Sequence, residues 1–202
     1  MTINWRFYLV ISAIILAFVA GCGKDPFGSD VEDLLPLSQI RPMEDDMFNL
    51  LNSDRADYGF GALSHNNELR EVARNHSEDM FLRDYLDHTN PDGETPSDRA
   101  ENAGISFSAI AENIHTNSGQ TSPVEFAQTA FMDSSPHRAN ILSTAFDVVG
   151  IGIASDGDKY YFTQVFARLS SPARLYFSTF VLEPFAPAWP NWEGTFEEAW
   201  NR

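Results

Sequence analysis

The chain has 202 residues, 43% of them hydrophobic and 21% charged, which suits one folded domain with appendages and excludes two full cores. Its 13 Lys and Arg stand against 29 Asp and Glu, and the net charge of −16 repels polyanions, so nucleic acid is not an expected partner. A single cysteine excludes an intramolecular disulfide. The acidic residues are spread along the chain without the alternating pattern of an EF-hand calcium loop.

The N-terminus has the pattern of an export signal. Arg6 precedes an apolar run over residues 7–20, which is shorter than the roughly 20 residues that a membrane-spanning helix needs. The run leads into Val-Ala-Gly-Cys at residues 19–22, which closely resembles the lipobox of bacterial lipoproteins. We therefore expect cleavage of residues 1–21 and acylation of Cys22, which would anchor the chain to a membrane. The glycine after the cysteine favours the outer membrane in a cell that has two.

A tether is expected before the folded domain. Residues 22–41 are polar, acidic and interrupted by prolines, as in flexible linkers. The domain is predicted to begin at Pro42, because proline fits the first turn of a helix and the acidic residues 44–46 favour its positive end. Apolar residues at helical spacing continue this first helix to about Tyr58.

Three further helices are predicted along the chain. Asn66 or the asparagine after it is the expected cap of a second helix that ends near Asp84. The sequence Thr-Pro-Ser-Asp at residues 95–98 begins a short helix, since it places a cap, a proline and an acid at the favoured positions. Residues 122–125 form a full capping box that opens a third long helix, which ends by Ser134.

Two apolar segments then predict a β-hairpin. Residues 148–153 and 160–166 are rich in β-branched and aromatic side chains, and they flank the turn sequence Ser-Asp-Gly-Asp. Because helices precede these strands, we expect an α+β fold with helices on both faces of a small sheet. The domain is predicted to span residues 42–170. Residues 171–202 form a C-terminal extension that could add a strand, and its tryptophans either pack on the domain or form a partner surface.

Several segments occur in the order and at the spacing of a known family. The most specific are Asp87-His88, Ala-Glu-Asn-Ile at residues 111–114, Ser-Ser-Pro-His-Arg-Ala-Asn-Ile-Leu at residues 134–142 and Tyr-Phe-Thr-Gln-Val-Phe at residues 161–166. Together they resemble bacterial members of the CAP family, which comprises cysteine-rich secretory proteins, antigen 5 and pathogenesis-related proteins. The resemblance covers about residues 49–167 and implies an α-β-α sandwich with a small antiparallel sheet between helices.

The resemblance also implies a cleft that holds histidines and acidic residues. His88 and Glu112 lie at the positions of the family's first histidine and first acid. Animal and plant members place a second histidine directly before the Phe-Thr-Gln segment, where this chain has Tyr161, so we expect His137 to supply the missing imidazole. The family's second glutamate has no clear counterpart, and Ser134 lies near its position. The predicted cleft comprises His88, Glu112, Ser134, His137, Tyr161 and Gln164.

Three kinds of chemistry are open to His88, Glu112 and His137. Two imidazoles and a carboxylate suit Zn²⁺ or another divalent cation, and three protein ligands plus water would be a catalytic geometry. The same groups could instead form a hydrogen-bonded structural cluster in which Glu112 orients an imidazole. They could also act as acid–base catalysts. His76 lies on the apolar face of its helix and is expected to be a core histidine.

The sequence favours a binding module over an enzyme. We expect an envelope lipoprotein whose cleft binds a small ligand, a cation or an envelope component. The alternative is a metal-assisted or acid–base hydrolase of peptides or cell-wall material, with His88 and His137 as ligands or bases and Glu112 as base or orienter. The missing second carboxylate argues against that alternative. So does the lack of a nucleophile motif of the G-x-S-x-G type around Ser134.

Overall fold

The computed structural model describes residues 34–170, which form five helices and four strands. The elements are α1 (Leu37–Asp57), β1 (Ser64–His65), α2 (Asn67–Leu82), α3 (Pro96–Asn102), β2 (Phe107–Ser118), α4 (Pro123–Asp133), α5 (Ser135–Ile141), β3 (Val148–Ser155) and β4 (Lys159–Leu169). The predicted signal peptide, Cys22 and the C-terminal extension lie outside the described residues. Between residues 34 and 170, no helix is both long and apolar enough to cross a membrane.

The sheet has the strand order β1-β3-β4-β2, which leaves β2 at one edge. The predicted hairpin is confirmed as β3 and β4, which pair antiparallel, and β4 also pairs antiparallel with β2. The two-residue strand β1 runs parallel to β3, so the sheet is mixed at its other edge.

Helices cover both faces of the sheet, as the α+β and α-β-α predictions require. The helices α1, α4 and α5 enclose the larger core, which includes Met47, Leu51, Phe131, Ile151 and Phe162. The helices α2 and α3 cover the other face through a smaller cluster that includes Leu69, Ala73, Ala100 and Val165. The edge strand β2 therefore contacts helices of both layers, with α3 on one side and α4 and α5 on the other.

The α2 helix lies directly on the backbone of β3. A Cβ atom at Gly150 would be 2.2 Å from the carbonyl carbon of Leu69, and one at Gly152 would be 2.0 Å from the backbone nitrogen of Arg74. The buried hydroxyl of Ser77 then donates a hydrogen bond to the carbonyl oxygen of Gly152 at 3.0 Å. The two glycines therefore set the distance between α2 and the sheet.

The first helix begins at Leu37, so the predicted start at Pro42 is wrong. Pro42 lies inside α1, although its ring removes one backbone hydrogen bond. Ile40 is only 2% exposed, and the backbone N–H of Leu35 donates to the carbonyl oxygen of Ser155 at 2.7 Å. Burial of Ile40 stabilises the added turn despite the proline, and the predicted tether therefore ends earlier.

The other predicted helices are present, with one difference at a cap. Asn66 caps α2 by accepting from the backbone N–H of Leu69, and α3 has both bonds of its capping box. Ser122 makes no side-chain cap bond to α4, because its ψ of 73° departs from the extended backbone that capping residues usually adopt. The strand β2 and the helix α5 were not predicted.

Candidate functional site

Glu112 lies at the centre of the candidate site, on the face of β2 that is covered by α2 and α3. Its side chain is 1% exposed. The Nδ1 atom of His88 lies 2.8 Å from Glu112 Oε1, and Arg99 Nη2 donates to Oε2 at 2.7 Å. A buried carboxylate is unfavourable unless it is paired and hydrogen-bonded, and these two partners meet that need. The structure thus joins the predicted residues His88 and Glu112 and adds Arg99, which the sequence did not identify as a site residue.

His88 presents one ring nitrogen from the loop between α2 and α3. Its side chain is 49% exposed. The hydrogen bond that Glu112 accepts from the His88 ring raises the pKa of His88, and partial burial opposes that effect. Because Glu112 engages Nδ1, Nε2 is the nitrogen available to a ligand or a proton.

Arg99 ties this loop to the strand. Its Nη1 donates at 2.9 Å to the backbone oxygens of both His88 and Glu94. The capping box at residues 95–98 fixes the start of α3, and Arg99 follows it directly. The Nε atom of Arg99 is buried and has no hydrogen-bond partner within residues 34–170.

His76 closes the site from the α2 side. It is 1% exposed, and burial lowers its pKa. Its Nε2 lies 3.1 Å from the carbonyl oxygen of Asp87 and 3.8 Å from Glu112 Oε1. A neutral ring whose Nε2–H donates to Asp87 fits this environment, so His76 is the core histidine that the sequence predicted.

His137 lies in the other helical layer, on α5. Asn113 follows Glu112 on β2 and therefore faces the opposite side of the sheet. Its Nδ2 donates to the backbone oxygen of His137 at 3.1 Å. The His137 ring packs edge-on against Phe131, with 5.3 Å between centroids, and its pKa is lowered by burial and then by the charge of His88. Within the described part of the chain, the Glu112 carboxylate is thus hydrogen-bonded to His88 and Arg99 and not to the His137 imidazole.

The three predicted metal ligands differ in their contacts. Within residues 34–170, no group of three or more His, Cys, Asp or Glu is arranged to hold a metal ion. Glu112 directs one oxygen to His88 and the other to Arg99, whose positive charge would repel a cation there. His137 packs against Phe131 in the other helical layer. The assignment of these three residues as metal ligands stays a prediction.

The remaining residues of the predicted cleft have other contacts. Ser134 joins α4 to α5, and its backbone oxygen accepts from the N–H of Arg138 at 2.8 Å. Tyr161 is 2% exposed and packs edge-on against Phe81 with 6.0 Å between centroids. Gln164 is fully buried on the face of β4 that is covered by α4. None of the three contacts Glu112 through its side chain within the described residues.

Gln164 belongs to a buried chain of amides that the sequence analysis missed. The donors and acceptors run from Asn140 to Asn113 (2.9 Å), then to Gln164 (3.0 Å), Gln128 (2.8 Å) and Asp54 (2.7 Å). These hydrogen bonds link α5 through β2, β4 and α4 to α1. Its signal in the sequence is the presence of Asn and Gln at strand and helix positions that otherwise face an apolar core, since buried amides need partners.

The sequence signature of the cysteine-rich secretory protein family, CAP, matches residues 48–166, which is more than half of the chain. The uncharacterized protein YkwD of Bacillus subtilis is 34% identical over 120 residues, which cover 59% of this chain and 46% of YkwD. The uncharacterized membrane protein YlbC of the same organism is 30% identical over 125 residues, which cover 62% of this chain and 34% of YlbC. The match thus spans less than half the length of either relative.

Two solved structures are similar to the described domain. An extracellular protein containing an SCP domain from Bacillus anthracis has a TM-score of 0.58 at 29% identity, over 64% of this chain and 41% of that chain. An outer surface protein from Borrelia burgdorferi also has a TM-score of 0.58, at 18% identity, over 68% of this chain and 98% of that chain. The second likeness shows a shared fold alone.

Proposed function

Because the chain belongs to the cysteine-rich secretory protein family, CAP, we propose that it is an exported binding module held at the cell envelope by a lipid on Cys22. The extracellular Bacillus anthracis relative supports export. The lipobox pattern at residues 19–22 supports the anchor. Cys22→Ala should therefore move the protein from the membrane fraction to the soluble fraction and abolish incorporation of a labelled fatty acid.

The hydrogen bonding of the Glu112 carboxylate supports a binding function over hydrolysis. A general base must offer a lone pair within hydrogen-bond reach of the proton that it abstracts. Both oxygens of Glu112 are instead engaged by His88 and Arg99, and the carboxylate is buried. Among the described residues, no serine, threonine or cysteine hydrogen-bonds to His88 in the manner of an activated nucleophile. The site therefore resembles an oriented hydrogen-bonding group more than an acid–base pair.

The ligand in this proposal is an envelope component that reaches His88 Nε2. The half-exposed imidazole offers a contact whose orientation is fixed by a buried carboxylate. The net charge of −16 disfavours strongly anionic polymers. An uncharged part of the cell wall, such as the N-acetylated glycan strands of peptidoglycan, meets both conditions.

Purified peptidoglycan sacculi test this proposal. The wild-type chain should sediment with sacculi and release no soluble fragments, while His88→Ala should sediment less. His65→Ala is the matched control, since His65 lies on β1 and not in the site. Release of soluble fragments by the wild type but not by His88→Ala would establish the hydrolase instead, and a wild type that neither binds nor releases would refute the envelope-polymer assignment.

A further inference from the structure

A separate cavity lies between α2, the loop of residues 90–94 and α3. Its volume is about 460 Å³, within the range of about 300–1,000 Å³ that is typical of ligand pockets. Val72 and Ala103 supply apolar surface, and the rest of the lining is polar. Arg99 lines the cavity and also binds Glu112, so it forms part of the wall between the cavity and the His88 site.

The charged side chains that line the cavity make ion pairs or hydrogen bonds within the protein. Arg83 donates to Asp79 at 2.6 Å and to Asp92 at 2.8 Å. Glu94 accepts from two asparagine amides, each at 2.8 Å, and has no cationic side-chain partner within residues 34–170. The cavity therefore offers no unpaired cation to an anionic ligand, and Glu94 adds a negative charge that would oppose one.

The wall offers hydrogen bonds through its asparagine side chains and its carboxylates. The Arg99 side chain is 9% exposed, and its guanidinium is held by Glu112 and by the backbone oxygens of His88 and Glu94. Asn75 lines the same cavity from the exposed side of α2, and its amide both donates and accepts.

We propose that this cavity binds a neutral saccharide. A hydroxyl group carries one donor and two acceptor lone pairs, so neighbouring hydroxyls can bond to the carboxylates of Glu94 and Asp92 and to the side-chain amide of Asn75. The C–H face of a sugar ring packs on Val72. The cavity shares His76 and Arg99 with the wall of the His88 site, but its proposed ligand does not depend on the function proposed for His88.

Titration of the ¹⁵N-labelled full chain with N,N′-diacetylchitobiose tests the proposal directly. Saturable shifts are expected at the side-chain amides of Asn75 and Asn102, which both line the cavity. Inorganic phosphate and putrescine serve as anionic and cationic comparators and should give no saturable shift at those groups. A stronger response to either comparator, or no saturable response to the disaccharide, would overturn the proposal.

Variants then locate the site. Asn75→Ala should weaken disaccharide binding by about tenfold through loss of its hydrogen bonds, and Ala103→Phe should abolish binding by filling the cavity. Asn67→Ala is the control, because Asn67 is another exposed asparagine of α2 that does not line the cavity. Wild-type affinity in both cavity variants would overturn the assignment. Retention on sacculi without any disaccharide response would leave the function proposed for the His88 site standing and refute this one alone.

Discussion

His88 and Glu112 couple the protonation of the site to the stability of the fold. The hydrogen bond that Glu112 accepts from His88 raises the folded-state pKa of His88 above the ordinary value of about 6.5. A raised pKa gives stability that is fully present below the unfolded-state pKa and is lost as the pH rises through the folded-state pKa. The pair therefore favours folding on the acidic side of neutrality. Its contribution is reduced by solvent, since half of the His88 side chain is exposed.

Glu112→Gln tests this coupling at a single residue. The pKa of His88 should fall towards its ordinary value, because a neutral amide no longer stabilises the imidazolium. The measurement is an NMR titration of the imidazole resonances. His65 is the internal control, since its pKa is lowered by burial and by Arg70 rather than by Glu112. An unchanged His88 pKa would contradict the assigned pair.

The sequence motifs predicted only part of the site. A motif gives the order of residues along the chain but not the face of the sheet to which each side chain points. The structure brings His88 and Glu112 together. It holds His137 through Asn113 instead, and Glu112 and Asn113 are neighbours in sequence but face opposite sides of the sheet. The role of Arg99 depends on how α3 packs against β2, which no local pattern reveals.

Two helix starts that look alike in sequence differ in the structure. The Thr95 side chain accepts from the backbone N–H of Asp98, whereas Ser122 makes no side-chain cap bond. Thr95→Ala should therefore cost about 1 kcal/mol of unfolding free energy. Ser122→Ala should change it by no more than about 0.5 kcal/mol, as for other substitutions that remove no bond. Urea denaturation measures both, and equal losses would mean that Ser122 caps its helix after all.

The contact between α2 and β3 makes a second prediction at this scale. Gly152→Ala should lower the unfolding free energy by about 3 kcal/mol or more, because the new methyl group would overlap the backbone of α2. Gly61→Ala is the matched control, since a Cβ atom there meets nothing within 4 Å. Thermal denaturation followed by circular dichroism compares the two, and similar midpoints would refute the close approach.

Whole elements were predicted where local signals are strong and missed where packing decides. Capping residues and a turn sequence predicted three helices and the β3–β4 hairpin. The strand β2 contains the polar residues Glu112, Asn113 and His115, so its sequence lacks the hydrophobic alternation that predicts a strand. The helix α5 is only seven residues long and follows α4 after a single residue, so the sequence does not show it as a separate helix.

At the scale of the whole molecule, the order of elements predicted the layered fold but not where the domain begins. Proline normally marks the first turn of a helix, so Pro42 was the reasonable boundary. The structure extends the domain before it, because Ile40 joins the core formed with Met47 and Phe162. Tertiary packing thus outweighs local propensity at this end of the domain.

Ile40→Ala tests that extended boundary. Loss of a fully buried isoleucine should cost about 2–4 kcal/mol of unfolding free energy. Leu37→Ala, in the first turn of the same helix, should cost far less because Leu37 is 46% exposed. Chemical denaturation of the two variants measures the difference. A negligible effect at Ile40 would restore Pro42 as the start of the folded domain.

Because of the glycine contact between α2 and β3, the two sides of the site should differ in the free energy that is needed to open them. With no side chains between helix and strand at Gly150 and Gly152, α2 cannot lift without disrupting the central sheet. Its inward amides should therefore exchange with deuterium only through global unfolding, and His76 shares that protection. The loop that carries His88 has no such support and should exchange at lower cost. A ligand at the site thus contacts α2, which opens only when the whole domain unfolds, and the His88 loop, which can open by local unfolding.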